Sequence, residues 1–153
     1  MRLEDLPRID EHAVTVAATP EATWEATLEV LGRSLPGGLM RRCARMLGCE
    51  STSTSGWTEP SVGSTIPGFR IVTADKPDLL VLSGRHRFSR YGLAFRIEAV
   101  PTGAHCRAET RALFPGVRGN LYRLAVIGTR GHVVLVRRLL RAIQRAAERA
   151  ARA

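Results

Sequence analysis

Few side chains in this 153-residue sequence are equipped for chemistry: four histidines, three cysteines, two tyrosines and fourteen acids. His86 draws attention first. It lies in LLVLSGRHRF, and turning Arg85 and Arg87 to solvent puts Leu80, Leu82, His86 and Phe88 on the opposite, inner face. A neutral imidazole there can exchange hydrogen bonds with a ligand or serve as a base. It can equally be satisfied within the protein by a backbone carbonyl, as buried polar groups normally are. Thr110 falls on the inner face of AHCRAETRALF, where it adds a hydroxyl to the same space or simply packs as a β-former. His132 follows a glycine-flanked interruption in a helical stretch, where a bend can aim it at a pocket or let it satisfy the loosened turn. Tyr91 and Tyr122 join an apolar ring to a phenolic handle, suited to a pocket or to its structural rim. His12 and His105 stand at strand starts and are expected at the surface.

Other chemistries find little support. Glu109 is expected on the outer sheet face among arginines, and Asp75 is the one other acid near a plausible sheet site, so paired-carboxylate hydrolysis is disfavoured. Cys43, Cys49 and Cys106 form no CxxC pair and are odd in number, which points to buried free thiols and not to a zinc cluster or disulfide framework. No phosphate loop ending in Lys-Ser/Thr, no HExxH, no GxSxG and no dinucleotide fingerprint occurs. GSTIPG reads as a hairpin turn or a loop at a cavity rim. Neither a cofactor nor a metal is expected.

The elements that must position these groups are read from periodicity. HAVTVAA alternates as a half-buried strand does, leaving residues 1–11 as an N-terminal extension. TPEATWEATLEVL follows, with Thr19 as cap, Pro20 at the first helical position and Trp24, Leu28 and Leu31 on one face. Leu35-Pro36-Gly37-Gly38 ends that helix. In GLMRRCARMLGC, Leu39, Met40, Cys43, Met46 and Leu47 oppose Arg41, Arg42 and Arg45, which predicts a second amphipathic helix. From Phe69 the period becomes two: FRIVTAD, LLVLSGRHRF, LAFRIEAV and AHCRAETRALF, with turns at Lys76–Asp78, Ser89–Gly92 and Pro101–Gly103, read as an antiparallel meander. Leu93, Phe95, Ile97 and Ala99 share one face, and Cys106, Ala108, Thr110, Ala112 and Phe114 another.

The remaining stretch, 117–150, reads as one long helix, kinked at 128–131, where Gly128 and Gly131 weaken it. Leu121, Leu124, Gly128, Leu135, Leu139 and Ile143 trace its apolar stripe, and Arg138, Arg141, Arg145, Arg149 and Arg152 its wet back. Charge follows the same division. Residues 1–32 hold two arginines against seven acids, whereas 117–153 hold nine arginines and one glutamate, so most of the net +9 sits in one segment. That segment could serve as a basic module for nucleic acid or an anionic membrane. A packed helix with a solvated basic face accounts for the same pattern, and the aromatic platforms of nucleic-acid binders are few.

HAVTVAATPEATWEATLEV, the stretch WTEPSVGSTIPGFR from Trp57 to Arg70, LSGRHRFSRYGLAFRIE and the closing FPGVRGNLYRLAVIGTRGHVVLVRRLLRAI together resemble the START-like (SRPBCC) helix-grip superfamily. That superfamily includes polyketide cyclase/dehydrase-like and lipid-transfer-like domains. The resemblance covers nearly the whole chain and implies an α+β domain over 1–153. Its curved antiparallel sheet would wrap around the long C-terminal helix, with two short helices after the first strand. It also implies an apolar cavity for a hydrophobic or aromatic small molecule, lipid- or polyketide-like, lined here by Trp24, Leu82, His86, Phe95, Ile97, Thr110, Tyr122, Leu124, His132 and Leu135. A ligand-binding protein is favoured over an enzyme. The catalytic alternative is a cyclase/aromatase with His86 as base and Thr110 or Tyr91 orienting the substrate. No specific nucleic acid is expected as a partner, and the chain is expected to be a monomer or homodimer. The acidic start without an apolar core and the lack of a long apolar run predict a cytoplasmic protein without a transmembrane segment.

Overall fold

A computed structural model describes residues 2–153. Strand β1 (Arg8–Val16) is followed by helices α1 (Pro20–Ser34) and α2 (Gly38–Leu47). Then come strands β2 (Thr65–Ile66), β3 (Phe69–Asp75), β4 (Leu79–His86), β5 (Ser89–Val100) and β6 (Gly103–Leu113), and finally helices α3 (Gly116–Arg123) and α4 (Gly131–Arg152). The strands form one antiparallel sheet of six in the order β1-β6-β5-β4-β3-β2. Bulges between Arg8 and Asp10 and between Ile71 and Thr73 bend the outer strands, as an extra residue on one side of a ladder does. Helix α4 packs against α1, β1 and β6, so the sheet cups the C-terminal helix and the fold is the helix-grip one.

Helix α1 starts as its sequence dictates. The Thr19 hydroxyl accepts the Ala22 N–H at 3.2 Å, and Pro20 opens the first turn. The buried face carries Trp24, Leu28 and Leu31. On α4 the buried side is Val136, Leu139, Leu140, Ile143, Ala146 and Ala147, a continuous stripe at helical spacing, while Arg138, Arg141, Arg145, Arg149 and Arg152 are exposed.

Several boundaries differ from the sequence reading. Residues 1–11 are not an extension. Strand β1 already begins at Arg8, Leu6 is buried, and the Arg111 guanidinium donates to the Leu6 carbonyl at 3.0 Å. The N-terminal segment thereby covers the outer sheet face, and Glu109, which does point outward, is buried there against Arg111 at 2.5 Å. The β4–β5 connection is the two-residue turn Arg87-Phe88, with His86 paired to Ser89, so Ser89–Gly92 belongs to the strand. On α2, Leu39 and Met46 are exposed; the inward row is Met40, Cys43, Ala44 and Leu47, the true i, i+3, i+4, i+7 set.

The C-terminal stretch is two helices and not one. Between them lie a π-helical turn at Leu124–Gly128 and a left-handed Arg130 with φ of 56°. The Thr129 hydroxyl donates to the Ala125 carbonyl at 2.6 Å, satisfying one of the groups that the irregular turn frees. A π turn and a left-handed residue reset the helical phase. Leu121 and Leu124, placed on the stripe by a 3.6-residue period, are therefore 63% and 68% exposed.

Candidate functional site

The register sorts the inner sheet face into rows, because directly paired residues point to the same side. Ile97, Cys106 and Val14 form one row, and Leu80, Phe95, Ala108 and His12 the next. Leu82, Leu93, Thr110 and Asp10 follow, then Gly84, Tyr91 and Ala112, and last His86 and Ser89. The first two rows sit in the core with α1 and α4. Toward the β4–β5 turn the sheet parts from the helices and leaves a cavity of about 250 Å³. Leu93, Thr110, Tyr91, Ala112, His86 and Phe114 line its sheet side; Met40, Cys43 and Leu47 of α2 and Tyr122, Val126, Ile127, His132, Leu135 and Leu139 close the other sides.

Five of the ten residues named from sequence therefore meet around one space: His86, Thr110, Tyr122, His132 and Leu135. The other five do not line it. All but one of these are buried in the core: Phe95 and Ile97 in the two rows that meet the helices, Trp24 on α1 itself, and Leu82 in the third row, next to Ile71 of β3. Leu124 faces solvent for the phase reason given above. Met40, Cys43 and Leu47 stand on the apolar face of α2 expected from sequence, but that they and the π-turn residues Val126 and Ile127 wall the cavity depends on packing and is not legible in spacing.

One end of the cavity is aromatic. The Tyr122 ring lies edge-on to His86 with centroids 4.8 Å apart and stacks on Phe88 at 5.8 Å; Tyr91 stands 5.4 Å from His86 and edge-on to Phe69 at 5.2 Å. The Tyr91 hydroxyl donates to the Gly68 carbonyl at 2.7 Å, and its ring lies against Gly84, where no side chain fits. These aromatics are dispersed in sequence and gathered only by the β3–β4–β5 pairing and the packing of α3.

The tautomer of His86 follows from its contacts. The Phe88 backbone N–H donates to Nδ1 at 3.1 Å, so in the neutral ring the proton sits on Nε2. Burial lowers the His86 pKa, which favours that neutral form. His86 is thus a hydrogen-bond donor with its lone pair occupied, poorly placed to act as a base. Its internal partner is a backbone N–H and not the carbonyl expected. Burial raises the pKa of Tyr122 and of Cys49, so neither is disposed to be an anion.

A second polar group sits on the β1 side. Asp10 Oδ2 lies 2.6 Å from His132 Nε2 and 3.2 Å from His12 Nε2. Asp10 Oδ1, Thr110 Oγ1 and His132 Nδ1 are buried with no hydrogen-bond partner among the described residues. No group of His, Cys, Asp and Glu among those residues is arranged to hold a metal ion, and no described helix is long and apolar enough to cross a membrane.

Among solved structures the chain is similar to a protein from Nitrosospira multiformis, at TM-score 0.59 and 11% identity over 96% of this chain and 100% of that one. It is also similar to one from Chromobacterium violaceum, at 0.55 and 12% over 93% and 99%. A third likeness is to the di-domain ARO/CYC StfQ from the steffimycin biosynthetic pathway, at 0.58 and 11% over 99% of this chain and 54% of that one. At these identities the likeness is one of fold, and it is the helix-grip fold that the resemblance implied. No family model and no curated protein matches the chain in sequence.

Proposed function

We propose that this protein binds a small, mainly apolar ring compound in the cavity between α2, the α3–α4 break and the β4–β6 face. The observation that carries this is the cavity itself: 250 Å³ of space walled by aliphatic and aromatic side chains, with a neutral His86 offering one N–H from within the aromatic end. Such linings, apolar with a few placed polar groups, characterise ligand pockets. Size narrows the class. A cavity of about 150 Å³ suffices for benzene, and drug-sized ligands occupy roughly 300–1,000 Å³. Two fused rings suit this volume better than a two-chain lipid. Binding without turnover is the reading favoured here, because the base read from sequence, His86, has its lone pair engaged.

The test is titration of 2-methoxynaphthalene, followed by protein fluorescence or calorimetry, with wild type and a Val126→Trp variant. Val126 is half-buried at the cavity wall, so an indole there fills space without rebuilding the core. Saturable binding by wild type and at least a tenfold loss in the variant is expected. Equal binding by both would remove the cavity from consideration.

A further inference from the structure

We propose that Thr110 and His132, the latter oriented by Asp10, form a receptor for a hydroxyl group on the bound ring compound, which makes that compound a phenol or enol and not a plain hydrocarbon. The proposal rests on the cavity reading above and adds a chemical requirement to it. Its origin is the register of β1. Asp10 continues the inner alternation of Val14 and His12 and pairs with Thr110, which sets its carboxylate on the inner face beside that residue. The bulge lies just beyond, between Arg8 and Asp10, and re-aims Arg8 so that it pairs with Arg111 on the outer side. Opposite Asp10, the left-handed Arg130 opens α4 and sets His132 in its first turn, where Nε2 meets Asp10 Oδ2 at 2.6 Å.

The chemistry follows from proton counting. A carboxylate only accepts, so the His132 Nε2 bears the hydrogen and donates it to Asp10. In the neutral ring the other nitrogen, Nδ1, then offers a lone pair. That atom is buried, as is Thr110 Oγ1, neither has a partner among the described residues, and both residues line the cavity. Buried polar atoms are normally satisfied. A ligand hydroxyl, with one proton and two lone pairs, carries the complementary functions: a proton to donate to Nδ1 and a lone pair to accept from the threonine. Asp10 is not among the cavity-lining residues; it acts through His132, as a positioning residue that fixes the tautomer. The His86 N–H supplies a donor from the aromatic end, so a ligand acceptor oxygen is accommodated there.

The experiment compares 2-naphthol with 2-methoxynaphthalene, whose oxygen has no proton to give, by calorimetry in mildly alkaline buffer. Wild type is expected to prefer the naphthol by about tenfold or more, the scale of one buried hydrogen bond. Asp10→Asn should bring the two affinities within about twofold of each other, whereas Thr110→Val, which removes a donor that both oxygens accept from, should weaken both probes and keep their ratio; binding of both as in wild type would overturn the role of Thr110. Asp10→Asn acts by allowing the side-chain amide to donate to Nε2, which moves the ring proton to Nδ1 and turns the acceptor into a donor. A merely structural tie between β1 and α4 would not alter the ratio. Equal binding of the two probes by wild type would overturn the hydroxyl receptor and leave the cavity reading intact. Binding of neither would overturn both, and an unchanged ratio in Asp10→Asn would overturn the role of Asp10.

Discussion

Gly84 offers the sharpest test of how the aromatic end is built. A methyl group at this position would lie 2.1 Å from the Gly68 carbonyl oxygen and 2.4 and 2.6 Å from Tyr91 Cε2 and Cζ. Ordinary contacts begin near 3.4 Å, so the shortfall exceeds an ångström, and the nearest atom is backbone that no rotamer change can move. Gly84→Ala must therefore push the Gly68 segment and the Tyr91 ring outward and break the 2.7 Å hydrogen bond that joins them. Overpacking costs about 1–3 kcal/mol and the hydrogen bond adds about 1 kcal/mol, giving a destabilisation of roughly 2–4 kcal/mol. With urea slopes of about 1–3 kcal/mol per molar, the unfolding midpoint should fall by roughly 1–2 M. Equilibrium urea unfolding followed by circular dichroism measures the shift. Binding of 2-methoxynaphthalene by the folded fraction should weaken as well, since Tyr91 is a wall of the cavity. A midpoint within about 0.3 M of wild type, with binding retained, would refute the packing of Tyr91 on Gly84 and with it the placement of the aromatic end.

Two further outcomes are expected. His86 has a folded-state pKa below its unfolded value of about 6.5, so the unfolded chain takes up the proton first on acidification; its contribution is fully present above that value and is lost as pH falls below it. Replacing His86 with Gln should flatten the decline of thermal stability between neutral and mildly acidic pH, and an unchanged profile would contradict the burial of the ring. The two ends of the expected apolar stripe should behave oppositely. Ile143→Ala is expected to cost about 2–5 kcal/mol, as fully buried large-to-small changes do, and Leu124→Ser to stay within about 0.5 kcal/mol, both read from urea unfolding; comparable losses at the two sites would mean that the helical phase survives the π turn.

Local periodicity determined much of this protein. Strand side chains alternate and helix side chains recur every 3.6 residues whatever lies opposite, so the inward faces of β4, β5 and β6, the cap of α1, the α4 stripe and the wet arginine row could all be read from sequence. So could the inward turn of His86 and Thr110, and the interruption near Gly128 that aims His132. Tertiary structure decided the rest. Alternation says which residues face inward but not which inward row meets a helix and which meets empty space, so Phe95 and Ile97 became core while Tyr91 and Ala112 became cavity wall. A repeat cannot be extended across a π turn and a left-handed residue, and Leu121 and Leu124 fell outside the core on that account. Asp10 stood in a stretch read as an extension. Only its pairing with Thr110 on β6 and a helix start 122 residues later in the chain brought its carboxylate to His132, because hydrogen bonds across such a separation belong to the folded arrangement and leave no trace in local spacing.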